Sequence, residues 1–122
     1  MYWKSSGGEN TENTLEVALD RLNSSEIEHV VIASNSGETV EKFVEMSGDI
    51  ELSVVCVTHH IGFNEPGLDE MGAEKRQALK DMGVEILTTT HVLAGVARSI
   101  KNEYGGLYPA EIMADALRML GQ

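Results

Sequence analysis

The 122-residue sequence contains little cysteine, little positive charge and no long hydrophobic run, and each shortage excludes a class of protein. A single cysteine, Cys56, rules out a disulfide within the chain and therefore a secreted disulfide scaffold. No apolar run approaches the roughly 18 residues of a membrane-spanning helix, and the first residues lack the apolar core of a signal peptide. The expected location is therefore the cytoplasm.

Positive charge is scarce, since nine Lys and Arg residues stand against 20 Asp and Glu residues and leave a net charge of -11. A surface this acidic repels the phosphates of nucleic acids and anionic lipids. Neither nucleic acid nor membrane is therefore expected as a partner. A small phosphorylated ligand remains possible if its contacts are local. Backbone N–H groups and hydroxyls would then hold the phosphate, without a basic patch.

Alternating helical and strand patterns predict one α/β domain over residues 1–122. Short apolar runs at 29–33, 52–57 and 84–87 are typical of strands, and the first is expected to be buried on both faces. Tyr2 and Trp3 are considered as a further edge strand. The markers of five predicted helices are Leu15, Ala18, Leu19 and Leu22; Val40, Phe43 and Val44; Met71, Ala78, Leu79 and Met82; Val92, Leu93, Val96, Ala97 and Ile100; and Ile112, Met113, Ala116, Leu117 and Leu120.

The predicted fold is a three-layer α/β/α arrangement with a mostly parallel sheet. Two helices follow the last strand, an unusual ending for such a sheet, and the natural chain is therefore expected to continue beyond Gln122. In open parallel sheets, ligands bind where the strands end and the helices begin. Four polar segments should meet at that edge: residues 7–11, 34–39, 58–63 and 88–91.

Segment 34–39 is the strongest candidate for a phosphate site, with the residues Ser34, Asn35, Ser36, Gly37, Glu38 and Thr39. It opens the second helix, whose first N–H groups carry partial positive charge. Glycine at position 37 is expected to let an oxyanion approach the backbone, and three hydroxyls add donors. The alternative is that Ser36 only caps the helix and Gly37 only forms a turn. Glu38 could be a general base, although a first-turn residue favoured by the helix dipole is the simpler interpretation.

The other candidate ligand-binding residues lie on the remaining segments of the same edge: Asn10, Thr11, Thr58, His59, Ile61, Gly62, Phe63, Thr90 and His91. His59 and His60 are adjacent, so on extended backbone they point to opposite sides and chelate one metal poorly. No HExxH or CxxC pattern occurs, and no metal site is predicted. His91 could instead cap the fourth helix, and Gly105 and Gly106 are interpreted as a helix–helix turn.

These segments resemble a known family. The matching features are Glu9-Asn10-Thr11, Ala33 through Thr39, Thr58-His59-His60-Ile61-Gly62-Phe63 and Thr90-His91-Val92. Residues from the first helix to Thr58 resemble the C-terminal α/β domain of pyruvate kinase, and the whole chain is similar to a stand-alone archaeal family with that fold. The resemblance implies that segment 34–39 holds a ligand phosphate, that the ligand is FMN and that further strands follow. Without the catalytic barrel, no pyruvate kinase activity is expected.

A shorter resemblance supports an alternative function. Residues 34 and 36–39 are also similar to the phosphosugar-binding loop of sugar isomerase domains, where Glu38 or a histidine would move protons. A third alternative is a structural or regulatory module whose loop is empty. The apolar residues Ile61 and Phe63 beside Gly62 favour a flat flavin over a sugar. The reaction stays open, and so does the possibility of a homo-oligomer.

Overall fold

The computed structural model describes residues 2–5, 7–48, 50–90, 94–107 and 109–120. The chain divides into two compact units, Met1–Thr89 and Thr90–Gln122, and each is described by itself. The first unit contains the sheet and every segment of the candidate site except residues 90 and 91.

The first unit is a parallel α/β structure. A short 3-10 helix at Gly8–Asn10 leads into α1 (Thr11–Asn23), and then β1 (His29–Ala33), α2 (Glu38–Ser47), β2 (Ser53–Thr58), α3 (Ala73–Asp81) and β3 (Glu85–Thr88) follow in order. The strands lie in the order β1-β2-β3, and both neighbouring pairs are parallel. Parallel neighbours need a crossover, which α2 and α3 provide. The predicted α/β class with a parallel sheet is thereby confirmed.

The core lies on one face of this sheet. Val54 and Cys56 of the central strand are buried there, in one apolar cluster with residues of α1, α2 and α3. The buried core residues are Leu15, Leu19, Leu22, Val40, Phe43, Val54, Cys56, Met71, Leu79 and Val84. On α1 and α2, the helical spacing of the apolar residues is that of the buried face. Met71, expected on the third helix, is buried but precedes α3.

The prediction that β1 is buried on both faces is wrong. Its residues alternate, with Val30 and Ile32 packed against the core, whereas Val31 is 70% exposed. Leu87 of β3 lies on the same open face and is 49% exposed. Since the described helices of this unit pack on the other face, the unit has two layers. The second helical layer of the predicted three-layer arrangement is not among its described residues.

The chain start also differs from the prediction, because Tyr2 and Trp3 form no strand and Tyr2 is 92% exposed. The second unit contains α4 (Ala94–Tyr104) and α5 (Pro109–Leu120). Between them Gly105 and Gly106 have φ angles of 72° and 91°, which confirms the predicted helix–helix turn. Among the described residues, no helix is long and apolar enough to cross a membrane.

Candidate functional site

The candidate site lies where β1 and β2 end. The amide of Ser34 donates to the carbonyl of Val57 at 3.0 Å, so the ladder continues one residue beyond β1. Segment 34–39 therefore leaves the sheet beside Thr58 and His59, as the parallel arrangement predicted. Two of the four polar segments are joined here by direct contacts.

Segment 34–39 turns sharply into α2. Gly37 is the N-cap residue, with φ 88° and ψ -8°, and its carbonyl accepts from the amide of Glu41 at 3.0 Å. The amides before Glu41 precede this first helical hydrogen bond and point outward along the helix axis. The Ser36 hydroxyl reaches the amide of Glu38 only at 3.5 Å, the outer limit of a hydrogen bond. The first amides of α2 therefore have no hydrogen-bond partner within the helix.

Packing and backbone conformation explain the glycine at position 37. Its φ angle lies in the left-handed region, where side chains are strained. A Cβ placed there would lie 2.9 Å from Cγ of Lys75 and 3.0 Å from Cδ1 of Leu79, a fully buried residue. The side of Gly37 that a Cβ would occupy thus faces α3. Room for an oxyanion, the reason expected from the sequence, does not lie on that side.

A cation lies beside the segment, although the sequence had suggested none was needed. The Lys75 side chain lies over Gly37, and its Nζ donates to both carboxylate oxygens of Glu41 at 2.7 Å. Both side chains are about one-third exposed (33% and 31%). Local periodicity carries no signal for this pair, because it depends on α3 packing beside α2.

Asn35 and His59 form a clasp between the two strand-end loops. The His59 amide donates to Oδ1 of Asn35 at 2.9 Å, and the side-chain nitrogen of Asn35 lies 3.1 Å from Nε2 of His59. Both are residues that the sequence placed at the ligand edge. The two contacts hold the middle of segment 34–39 against the loop that follows β2.

Glu70 completes this cluster from the far end of the same loop. One of its carboxylate oxygens lies 2.8 Å from Nδ1 of His59, and the other accepts from the side-chain amide of Asn64. The side chains of His59 and Glu70 are 38% and 21% exposed. Sequence reasoning missed Glu70, and the available signal was only its place in a long polar loop.

Phe63 forms an exposed aromatic surface beside the clasp. Its ring centroid lies 3.8 Å from that of His59 at an interplanar angle of 36°, and His60 meets it edge-on at 5.7 Å. Phe63 is 54% exposed and Ile61 is 56% exposed. An imidazole and an apolar surface therefore adjoin the phosphate-site candidate.

The conformation of the loop explains why glycine occupies position 62. Its φ is 84°, its amide donates to Leu68 at 2.9 Å, and an added Cβ would lie 3.3 Å from the amide nitrogen of Gly67. Glycine is thus needed for the turn itself. Space for a ligand ring against its backbone, as the sequence suggested, stays a prediction.

Thr58 takes part in an internal polar network. It is buried, and its hydroxyl lies 2.8 Å from that of Thr88 at the end of β3. Arg76 donates to the Thr88 hydroxyl at 2.8 Å and to both carboxylate oxygens of Asp69 at 2.7 and 3.0 Å. This network links the ends of β2 and β3 to α3. Sequence reasoning missed Arg76 and Asp69.

Asp69 should make the protein more sensitive to acid. Its hydrogen bond to Arg76 lowers the pKa of Asp69, with smaller help from the Met71 amide and against the effect of burial. A carboxyl whose folded pKa lies below its unfolded value stabilises the fold above about pH 4. That stability is lost as the pH falls through the folded pKa.

We therefore expect Asp69→Asn to lower the free energy of unfolding at neutral pH by about 1 kcal/mol. The difference from the wild type should shrink steadily below about pH 4. Urea unfolding at several pH values measures it. Asp81→Asn is the control, because Asp81 accepts from Gln77 on an exposed face. A difference that stays constant with pH would contradict the role of the Arg76 pair.

Asn10 and Thr11, two further predicted residues, lie where α1 begins. An ion pair of 2.8 Å joins Glu12 to Lys42, so α1 begins beside α2. The side chain of Asn10 donates to the Ser5 carbonyl at 2.7 Å, and no described contact joins Asn10 or Thr11 to segment 34–39. Thr90 belongs to the second unit, and His91 lies outside the described residues.

A shallow groove of about 290 Å³ between α1 and α2 is unsuited to phosphate. It is lined by Glu12, Glu16, Lys42, Glu45 and Met46, so carboxylates outnumber the single cation. In the described ranges, no three His, Cys, Asp or Glu side chains are grouped to hold a metal ion.

No protein-family model matches this chain. The fold and the site define a parallel-sheet α/β protein with a polar cluster at the carboxyl edge of its strands. The resemblance to the pyruvate kinase C-terminal domain stays a prediction.

Proposed function

We propose that this protein binds a phosphorylated small molecule, with FMN as the ligand, at segment 34–39. The observation that carries the proposal is the Asn35–His59 clasp, which joins an anion-accepting helix end to a loop with an exposed aromatic ring. Kinase chemistry is no part of the proposal. The reaction, if there is one, stays open.

The phosphate would lie at the first turn of α2. Outward-pointing amides supply donors and partial positive charge, and the exposed Ser36 hydroxyl adds a further donor. Glu38 and Glu41 lie in the same turn and repel an anion. Lys75 neutralises Glu41, which leaves the Glu38 carboxylate as the repulsive group of that turn.

The flavin ring would lie over the loop after β2. Phe63 and Ile61 are more than half exposed there, and planar aromatic ligands favour such apolar surfaces with a few polar groups nearby. His59 contacts both Phe63 and Asn35, so the ring surface and the phosphate segment belong to one site.

A sugar isomerase-like function is the second candidate, and the Glu70–His59 pair specifically favours it. A carboxylate that orients an imidazole is a common arrangement for moving protons. The side chains of Asn35 and Asn64 offer amides for sugar hydroxyls. Both candidates share the phosphate segment and differ in what the phosphate carries.

A mass spectrum and a visible absorption spectrum of the purified protein distinguish FMN binding from the sugar isomerase-like function. A co-purifying compound with the mass and yellow absorption of FMN supports the flavin. A retained sugar phosphate without visible absorption supports the isomerase-like function. If the protein purifies without ligand and titration calorimetry detects neither compound, the phosphate site is refuted.

Phe63→Ala should distinguish the contribution of the flavin ring to binding from that of the phosphate. Losing an aromatic surface should weaken FMN binding by about tenfold, because stacking contributes about 0.5–1.5 kcal/mol beyond the buried area. Binding of inorganic phosphate, measured by calorimetry, should change little. Leu68→Ala is the control, since Leu68 is another exposed apolar side chain of the same loop. An equal loss for phosphate and FMN would mean that Phe63 only supports His59.

A further inference from the structure

We propose that Glu70 acts through His59 as a positioning residue for the ligand segment, and that protonation of His59 loosens the hold on that segment. The first part concerns the ligand-free protein and stands by itself. The effect on ligand affinity rests on the proposed phosphate function.

The hydrogen bonds determine which nitrogen of His59 carries the proton. The His59 backbone amide can only donate, so the Asn35 atom facing it is the oxygen, Oδ1. The NH₂ group of Asn35 then faces Nε2, which must accept. Nδ1 therefore carries the hydrogen and donates to the Glu70 carboxylate at 2.8 Å. Glu70 favours the one neutral tautomer that can hold Asn35.

Protonation breaks this chain at one point. An imidazolium donates from both nitrogens, so Nε2–H would face the NH₂ donors of Asn35. Asn35 cannot rotate its amide to accept without losing the bond from the His59 backbone. The Glu70 contact, by contrast, becomes an ion pair and persists. Acid therefore replaces the contact between the Asn35 NH₂ group and Nε2 of His59 with repulsion between two donors. The bond from the His59 backbone amide to Oδ1 of Asn35 and the contact to Glu70 remain, so the clasp is weakened to one bond.

The charged groups around the clasp come from three elements. The loop after β2 contributes Glu70 and His60, and the first turn of α2 contributes Glu38 and Glu41. Lys75 of α3 is paired with Glu41, and Arg76 of α3 is paired with Asp69 beside Glu70. Both cations are thus paired with carboxylates other than Glu70. Among the charged groups named here, Glu70 is the one in direct contact with the His59 ring.

The clasp affects the conformation of segment 34–39 because Ser34 and Gly37, on either side of Asn35, are held by other contacts. Ser34 is held by the sheet ladder and Gly37 by packing against α3. Asn35 lies between these two residues, and its side chain is bonded to His59 of the neighbouring loop. Weakening this tie lets the Ser36 backbone sample more conformations, and a ligand must then order the segment when it binds.

Nitrogen-15 NMR of the histidine side chains tests the first part in the ligand-free protein. We expect the neutral His59 ring to carry its proton on Nδ1, and Glu70→Ala to weaken that preference, because only the Asn35 contact then favours it. Glu70→Gln should largely keep it, because the amide oxygen still accepts from Nδ1–H. A neutral ring protonated on Nε2 in the wild type would overturn the proposal.

The second test is FMN affinity measured between pH 7.5 and 5.5. The phosphate of FMN itself loses charge near pH 6, so the wild type is compared with His59→Gln, which cannot titrate. We expect the wild-type affinity to fall about three- to tenfold more than that of His59→Gln, whatever the affinity of the variant at neutral pH. His60→Gln, which removes the neighbouring imidazole, should retain the wild-type slope.

The outcomes separate failure of this inference from failure of the proposed function. If no phosphate ester binds, the phosphate function is refuted, and the NMR result alone decides the role of Glu70. If FMN binds but the wild type and His59→Gln show parallel pH curves, loosening of the clasp by His59 protonation is refuted and the phosphate function stands.

Discussion

Gly37→Ala is expected to lower the free energy of unfolding by about 2–4 kcal/mol, the sum of backbone strain and overpacking. The backbone cost arises because Gly37 has φ 88°, a conformation that an alanine adopts only under strain. The packing cost arises because the new methyl group would lie about 3 Å from Lys75 and Leu79. Lys75 can move aside, whereas Leu79 is fully buried among core residues.

Gly83→Ala is the matched control for this prediction. Gly83 follows α3 with φ 83°, and a Cβ there meets no atom within 4 Å. Gly83→Ala therefore introduces the backbone strain without the overpacking and should lower the free energy of unfolding by about 1–2 kcal/mol. Urea unfolding of both variants measures the difference. Equal losses would show that α3 does not constrain segment 34–39.

FMN is expected to bind at least about 100-fold more tightly than riboflavin, which lacks only the phosphate. Two or three hydrogen bonds to a charged acceptor contribute about 1.5–3 kcal/mol each before repulsion by Glu38 is subtracted, and 100-fold corresponds to about 2.7 kcal/mol. The donors are the first-turn amides of α2 and the Ser36 hydroxyl. Calorimetric or fluorescence titration of both flavins provides the comparison.

Ser36→Ala provides the control for the phosphate. It removes one hydroxyl and should weaken FMN by about 1–2 kcal/mol while leaving riboflavin unchanged. Equal binding of the two flavins would exclude the phosphate from segment 34–39. Tight binding of a sugar phosphate with no flavin binding would instead favour the isomerase-like function.

Local patterns predicted the elements well. Leu15, Leu19 and Leu22 recur at helical spacing and are the buried face of α1. The three strand predictions fall within one residue of the observed strands at each end. Strands that alternate with helices are typical of a parallel sheet, and this arrangement also placed segment 34–39 and His59 at the same edge. These features depend on neighbours in the chain, so a single sequence contains them.

The same reasoning failed where a residue's surroundings come from distant segments. Val31 has the composition of a strand buried on both faces, yet it is 70% exposed because the helices of its unit pack on the opposite face. Gly37 had been interpreted as giving an oxyanion access to the backbone, with an ordinary turn as the alternative. Its main constraint is the approach of α3, which no pattern around position 37 contains.

The sequence by itself determined the class of fold, the acidic character of the surface and the edge at which polar loops meet. Only the tertiary structure decided which side chains at that edge touch. Asn35 meets His59 because the register of β1 on β2 aligns the strand ends, and Glu70 meets His59 because the loop between β2 and α3 folds back. Register and loop path are set by packing of the whole unit, where many weak contacts act together. No local spacing of residues encodes either one.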